Sequence, residues 1–129
     1  MRILALDHGS ARCGCAISDP PGPIVRPIAP IAPPEPAAVA AAVEEHGAEM
    51  VLVGLPVSLD GGEGAQALEA RRFAEAVAAV VDVPVEVYDE RLTTKLAAAS
   101  RRGGSRAAED SLAAAHLLDS YLLSLQARR

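Results

Sequence analysis

Hydrophobic positions run in short blocks whose period changes along the chain. Ile3 to Leu6 is an unbroken apolar run that meets Asp7 and then a turn at Gly9 and Ser10, and Arg12 to Ser18 resumes with strand character. The two runs read as a hairpin, with Asp7 at the end of its first strand. Eight of the ten prolines then fall between Pro20 and Pro36, but Ile24, Val25, Ile28 and Ile31 stand among them. That mixture predicts a third strand near Ile24 to Ala29 at a sheet edge, where no neighbour needs the N–H that proline lacks.

Beyond the prolines the period lengthens. Ala37 to His46 places Val39 and Val43 four apart and stops at Gly47, which predicts a helix. Met50 to Val53 is continuously apolar and runs into Gly54-Leu55-Pro56, the pattern of a central strand buried on both faces. Ser58 to Gly64 reads as a glycine-rich loop, Ala65 to Val81 as helix and Val85 to Tyr88 as strand. A further helix is expected over Arg91 to Arg102, a break at Gly103-Gly104, and a last helix over Ala107 to Gln126. The order β-β-β-α-β-α-β-α-α predicts one α/β domain over residues 1–129, with a five-stranded mixed sheet covered by helices.

Composition narrows the class. A length of 129 residues allows one core and leaves no room for two lobes closing over a substrate. No run of eighteen uncharged apolar residues is present, which argues against a membrane span, and no secretory signal is visible, so a cytoplasmic protein is expected. Cys13 and Cys15 are too few for a disulfide framework or a four-ligand zinc site and read as small buried hydrophobes, with a redox or metal role as the lesser alternative. The formal charge of -5 argues against a general polyanion binder. The charge is unevenly spread, however: Arg91, Lys95, Arg101, Arg102 and Arg106 are clustered, whereas Pro27 to Ala70 holds no lysine or arginine. A local basic face and an ordinary solvated helix both fit that cluster.

Acids stand at the ends of three separate elements. Asp7 closes the first strand, Asp89-Glu90 the last, and Asp110 opens the final helix on a face shared with Ala113, Ala114, Leu117, Tyr121 and Leu125. Two unit charges about 5 Å apart repel by roughly 3 kcal/mol at an effective dielectric near 20, so gathering them requires a shared proton or a cation. Oxygen donors of this kind suit Mg²⁺ or Mn²⁺, and two such ions activate a water and stabilise the leaving oxygen of a phosphodiester. Each acid also has a plain reading: Asp7 as a turn residue, Asp110 as a favourable charge at a helix start, Asp89-Glu90 as a lead into a helix.

The segments LALDHGSARCGCAISD, VGLPVSLDGGEGAQA, DERLTT and EDSLAAAHLLDSYL, in this order and spacing, closely resemble the YqgF/RuvX family of pre-16S rRNA nucleases with Holliday-junction-resolvase likeness. The resemblance covers nearly the whole chain. It implies an RNase H-like fold and metal-dependent endonuclease chemistry, with Asp7, Glu90 and Asp110 as catalytic metal ligands for Mg²⁺ or Mn²⁺. It further implies that Arg12, Arg91, Thr93 and Thr94 contact phosphate, and that Gly61, Gly62 and Gly64 belong to a substrate-side loop. RNase H-like resolvases often carry an acid on the fourth strand; here that strand ends in Gly54-Leu55-Pro56, so the second ligand falls to Glu90, with Asp89 and Glu63 as neighbouring acids able to share the role. His8, beside Asp7, is placed either to assist a proton transfer or to pack.

The implied partners are nucleic acid, structured RNA or branched DNA, and ribosomal subunit precursors. Monomer and homodimer both remain open. Two other classes compete. One is a non-catalytic nucleic-acid or protein binding module on the same scaffold, although only Phe73, Tyr88 and Tyr121 are aromatic, too few for a base-stacking platform. The other is an actin-like kinase using the Asp-x-Gly turn as a phosphate loop, which the chain is too short to complete.

Overall fold

The computed structural model describes residues 1–19, 24–56, 64–90 and 106–127, the side chains of 106–110 and 127 excepted. Five strands, β1 (Ile3–His8), β2 (Cys13–Asp19), β3 (Ile24–Ile31), β4 (Met50–Leu55) and β5 (Val85–Asp89), form one sheet in the order β3-β2-β1-β4-β5. The first three run antiparallel to one another, while β4 and β5 add on parallel to β1. The described helices are α1 (Pro36–His46), α2 (Ala65–Ala78) and α3 (Arg106–Ala127). The helix expected over Arg91 to Arg102 and the loop from Ser58 to Glu63 lie outside the described residues.

Alternation along β1 sorts the core into two layers, because successive strand residues point to opposite faces. Leu4 and Leu6, with Cys13, Cys15 and Ile17 of β2 and Val51 and Val53 of β4, pack against Val39 and Val43 of α1 and Phe73, Ala74 and Val77 of α2. Ile3 and Ala5, with Met50 and Leu52, face Leu117 and Leu118 of α3, and Ala16 meets Ala114 and Ala115. Cys13 and Cys15 are fully buried free thiols, as their alternation implies. A hydrogen bond with Cys15, then burial, pushes the Cys13 thiol up from its ordinary range.

Local chemistry explains where elements stop. Pro36 occupies the first turn of α1, where its missing N–H costs nothing, and Gly47 ends the helix at φ 65°, returning its N–H to the carbonyls of Glu44 and Val43. The turn between β1 and β2 is closed by the Gly9 N–H donating to the Arg12 carbonyl at 3.0 Å. A Cβ on Gly9 would sit 2.8 Å from that same oxygen, so the turn requires glycine.

Two expectations need correction. The charge of Asp7 does not end β1: the strand continues through Asp7 and His8, which pair with Gly14 and Cys13 of β2. Helix α2 stops at Ala78 rather than Val81, since Val80 and Val81 already turn toward β5.

Candidate active site

Why a carboxylate is tolerated inside β1 follows from its neighbours. Asp7 shares the α3 face with Ile3 and Ala5, and its partner across the antiparallel pair is Gly14. On the other side, the parallel register matches Leu6 to Val53, which makes Gly54 the next residue of β4, on the face of Met50 and Leu52. Both rows beside Asp7 therefore lack side chains. The opening at this end of the sheet is a cavity of about 240 Å³ lined by Asp7, His8, Gly9, Ser10, Pro56, Gln66, Glu69 and Glu90.

Glu90 directly follows β5, in which Tyr88 pairs with Gly54 and Asp89 with Leu55. Its side chain lies over Gly54: a Cβ built there would come within 3.2 Å of both Cγ and Oε2 of Glu90 and within 2.9 Å of Leu117 Cδ2. Of the acids able to serve as the second ligand, Glu90 lines the cavity, Asp89 is not among its lining residues, and Glu63 lies outside the described residues.

Helix α3, which carries Asp110, is fastened to the sheet at two places. Between Cys13 and Cys15 the β2–β3 register slips: Cys13 pairs with Ile31 and Cys15 with Ile28. The buried hydroxyl of Ser111 enters this bulge, accepting from the Cys15 N–H at 3.4 Å and donating to the Ile28 carbonyl at 2.7 Å. Farther along, the Tyr121 hydroxyl donates to Glu86 at 2.5 Å, and the Tyr88 and Ser120 hydroxyls lie 3.2 Å apart. The Tyr88 and Tyr121 rings meet edge to face, with centroids separated by 5.4 Å. The helix backbone is thus held to β2 and β3 one residue after Asp110 and to the strand that delivers Glu90. The Asp110 side chain lies outside the described residues, and among those residues no group of three or more His, Cys, Asp or Glu side chains could hold a metal ion.

The remaining expected positions divide. Arg12 lies at the β1–β2 turn, and Gly64 is the residue preceding α2. Arg91, Thr93, Thr94, Gly61 and Gly62 lie outside the described residues. His8 takes the opposite face from Asp7: its ring stacks on Phe73 with centroids 4.5 Å apart and planes tilted by 33°. Burial pulls its pKa below the ordinary histidine value, while the charge of Glu69 pulls the other way. Glu69 went unnoticed in the sequence. It stands one turn after Gln66 on α2, and both side chains line the cavity mouth, a relation that a three-residue spacing behind a glycine-rich loop could have signalled.

Taken together, the mixed five-stranded sheet, with Asp7 at the carboxyl end of β1 and Glu90 beyond β5 lining one cavity, has an RNase H-like architecture. Nearly the whole chain superposes on T. thermophilus RuvC solved in complex with a Holliday junction substrate, covering 96% of each chain with a TM-score of 0.62 at 17% identity, a likeness of fold. The family described as RuvX, Holliday junction resolvase, matches residues 1–124, and the chain belongs to it. A relative from Chloroflexus aggregans is 42% identical over 130 residues, covering 93% of this chain and 92% of its own; one from Chloroflexus aurantiacus is 40% identical over 130 residues, covering 93% and 85%. Both carry the provisional name of pre-16S rRNA nuclease. The YqgF/RuvX resemblance and the expected fold class are thereby borne out, and the chain is a nuclease by family. Among the described residues, no helix is long and apolar enough to cross a membrane.

Proposed function

We propose that this chain, as a single nuclease domain, is a divalent-metal-dependent endonuclease that cuts structured RNA, pre-16S rRNA in ribosome biogenesis, in the cytoplasm. The observation that carries the reading is the convergence of Asp7 and Glu90 on one cavity, with Glu90 filling the space that Gly54 leaves. Grouping two carboxylates at a sheet end is costly without a counter-charge, and their hard oxygen donors fit Mg²⁺ or Mn²⁺. The assigned metal ligands are Asp7, Glu90 and Asp110. A bound ion would supply Lewis-acid activation of water and charge stabilisation on the leaving oxygen.

The chain's own residues do the rest. Gly9 and Ser10 at the β1–β2 turn let a phosphate approach the cavity rim. Arg12, Arg91, Thr93 and Thr94 are assigned to hold phosphate oxygens, arginine being able to grip two at once. Gly61, Gly62 and Gly64 are assigned to the loop that admits the substrate backbone. The choice of RNA rests on the names of the 40 to 42% identical relatives. Branched DNA is the second reading, favoured by the description of the matching family.

The test offers a pre-16S rRNA fragment and a four-way DNA junction to the purified protein with Mn²⁺, Mg²⁺ or EDTA, beside Asp7→Asn. Metal-dependent cutting of the RNA that Asp7→Asn abolishes supports the proposal, and cutting of the junction alone transfers it to branched DNA. Cleavage of neither, with unimpaired nucleic-acid binding by Asp7→Asn, favours a binding module.

A further inference from the structure

Asp7 lies on β1 and Glu90 directly follows β5, with β4 between the two strands; neighbouring strands lie about 4.8 Å apart, so β1 and β5 stand roughly 10 Å from each other across the sheet. Carboxylates that share a pair of ions about 4 Å apart must lean toward one another over the intervening strand. The β4 residue beneath that path is Gly54, paired in register with Tyr88. A side chain there would stand between the two acids. The packing agrees, since a Cβ placed on Gly54 falls 3.2 Å from Glu90 Cγ and Oε2.

We infer that Gly54 is a positioning residue: its missing side chain is the space through which Glu90 reaches the Asp7 cavity, so that the sheet can present an acid from β4 or from beyond β5, but not both. This rests on the metal-dependent reading above and goes beyond it, because it assigns a role to a residue that binds neither ion nor substrate. The third neighbour of the missing Cβ, Leu117 Cδ2 at 2.9 Å, is the far end of a flexible side chain and can withdraw. Glu90, met at 3.2 Å along its side chain up to the carboxylate, must give by a few tenths of an ångström, and that displacement of the acid is what Mn²⁺ affinity reads.

The experiment measures Mn²⁺ binding by calorimetry, with metal-free thermal melts, for the parent, Gly54→Ala, Glu90→Ala and Gly54→Asp/Glu90→Ala. Gly54→Ala is expected to lose at least tenfold in Mn²⁺ affinity while melting metal-free within a few degrees of the parent. A purely structural glycine would show the opposite pattern, a lowered melt with unchanged affinity. In the double variant the carboxylate introduced on β4 starts from the space that Glu90 vacates, and Mn²⁺ affinity is expected to rise at least tenfold over Glu90→Ala. Parental affinity in Gly54→Ala, or a double variant that binds no better than Glu90→Ala, overturns the inference. If Gly54→Ala does not fold, the double variant alone decides. A parent that binds no Mn²⁺ removes the metal reading itself, an outcome distinct from a parent that binds and a Gly54→Ala that binds equally well.

Discussion

The two faces of the sheet are built from alternate residues of the same strands, yet they are composed differently. Toward α1 and α2 stand Leu4, Leu6, Ile17, Val51 and Val53, branched side chains that fill the layer against Phe73 and Val77. Toward α3 the layer thins as it nears the cavity: Ile3 and Leu52 give way to Ala5, Ala16 and Ala114, then to Gly14 and Gly54 around Asp7. One face is filled by branched side chains, and on the other small residues leave space beside Asp7 and Glu90. Burial of large side chains and burial of charge compete for the same volume, and alternation lets one strand do both.

If the faces are specialised in this way, a change on each should register in a different measurement. Asp7→Asn keeps the shape of the α3 face and removes one of the proposed metal ligands. Metal-dependent cleavage of the preferred substrate should fall on the order of a thousandfold, while urea unfolding changes little. A parallel loss of stability would mean that Asp7 is structural. On the opposite face, Leu6→Ala leaves a cavity among fully buried neighbours and should cost about 2–5 kcal/mol in urea unfolding, with activity lost only in proportion to the unfolded fraction.

The packed face was legible in the sequence because short unbroken apolar runs such as Ile3 to Leu6 and Met50 to Val53, bounded by turn residues, read as buried strands, and the order of elements came from those runs and the helical spacings between them. Asp7 and Glu90 were legible as acids at strand ends. The continuation of β1 through Asp7 was not, because it depends on Gly14 and Gly54 arriving beside the charge from two other strands. Glu69 was hidden for a related reason: an exposed helix acid faces a cavity only once α2 has packed. Ser111 was hidden more deeply, since its hydroxyl answers a register slip between β2 and β3 that no local pattern announces.

Ser111→Ala sharpens the comparison at the seam where α3 meets the thin face. It leaves the Ile28 carbonyl and the Cys15 N–H without the hydroxyl that bridges them, which should cost about 1–3 kcal/mol in urea unfolding. The same variant shifts the helix one residue from Asp110. Cleavage should therefore fall more than the unfolded fraction accounts for, and a loss that merely tracks stability would separate Ser111 from the site.

The smallest expected effect belongs to His8, the one titratable residue of β1 on the packed face. Burial against Phe73 lowers its pKa below the unfolded value near 6.5, so in that range the unfolded chain binds more protons than the folded one. Stability should then rise with pH up to about 6.5 and level off above it, because the folded state holds the ring neutral and must give up its stacking or bury a charge when acidified. Glu69 opposes the shift and keeps the slope shallow. Thermal melts from pH 5 to 8 of the parent and His8→Phe, which keeps a ring on Phe73 and cannot titrate, should show the acid limb of the parent flattened in the variant. An unchanged limb would assign that slope to the carboxylates of the thin face and place the pH-sensitive part of the fold with the site itself.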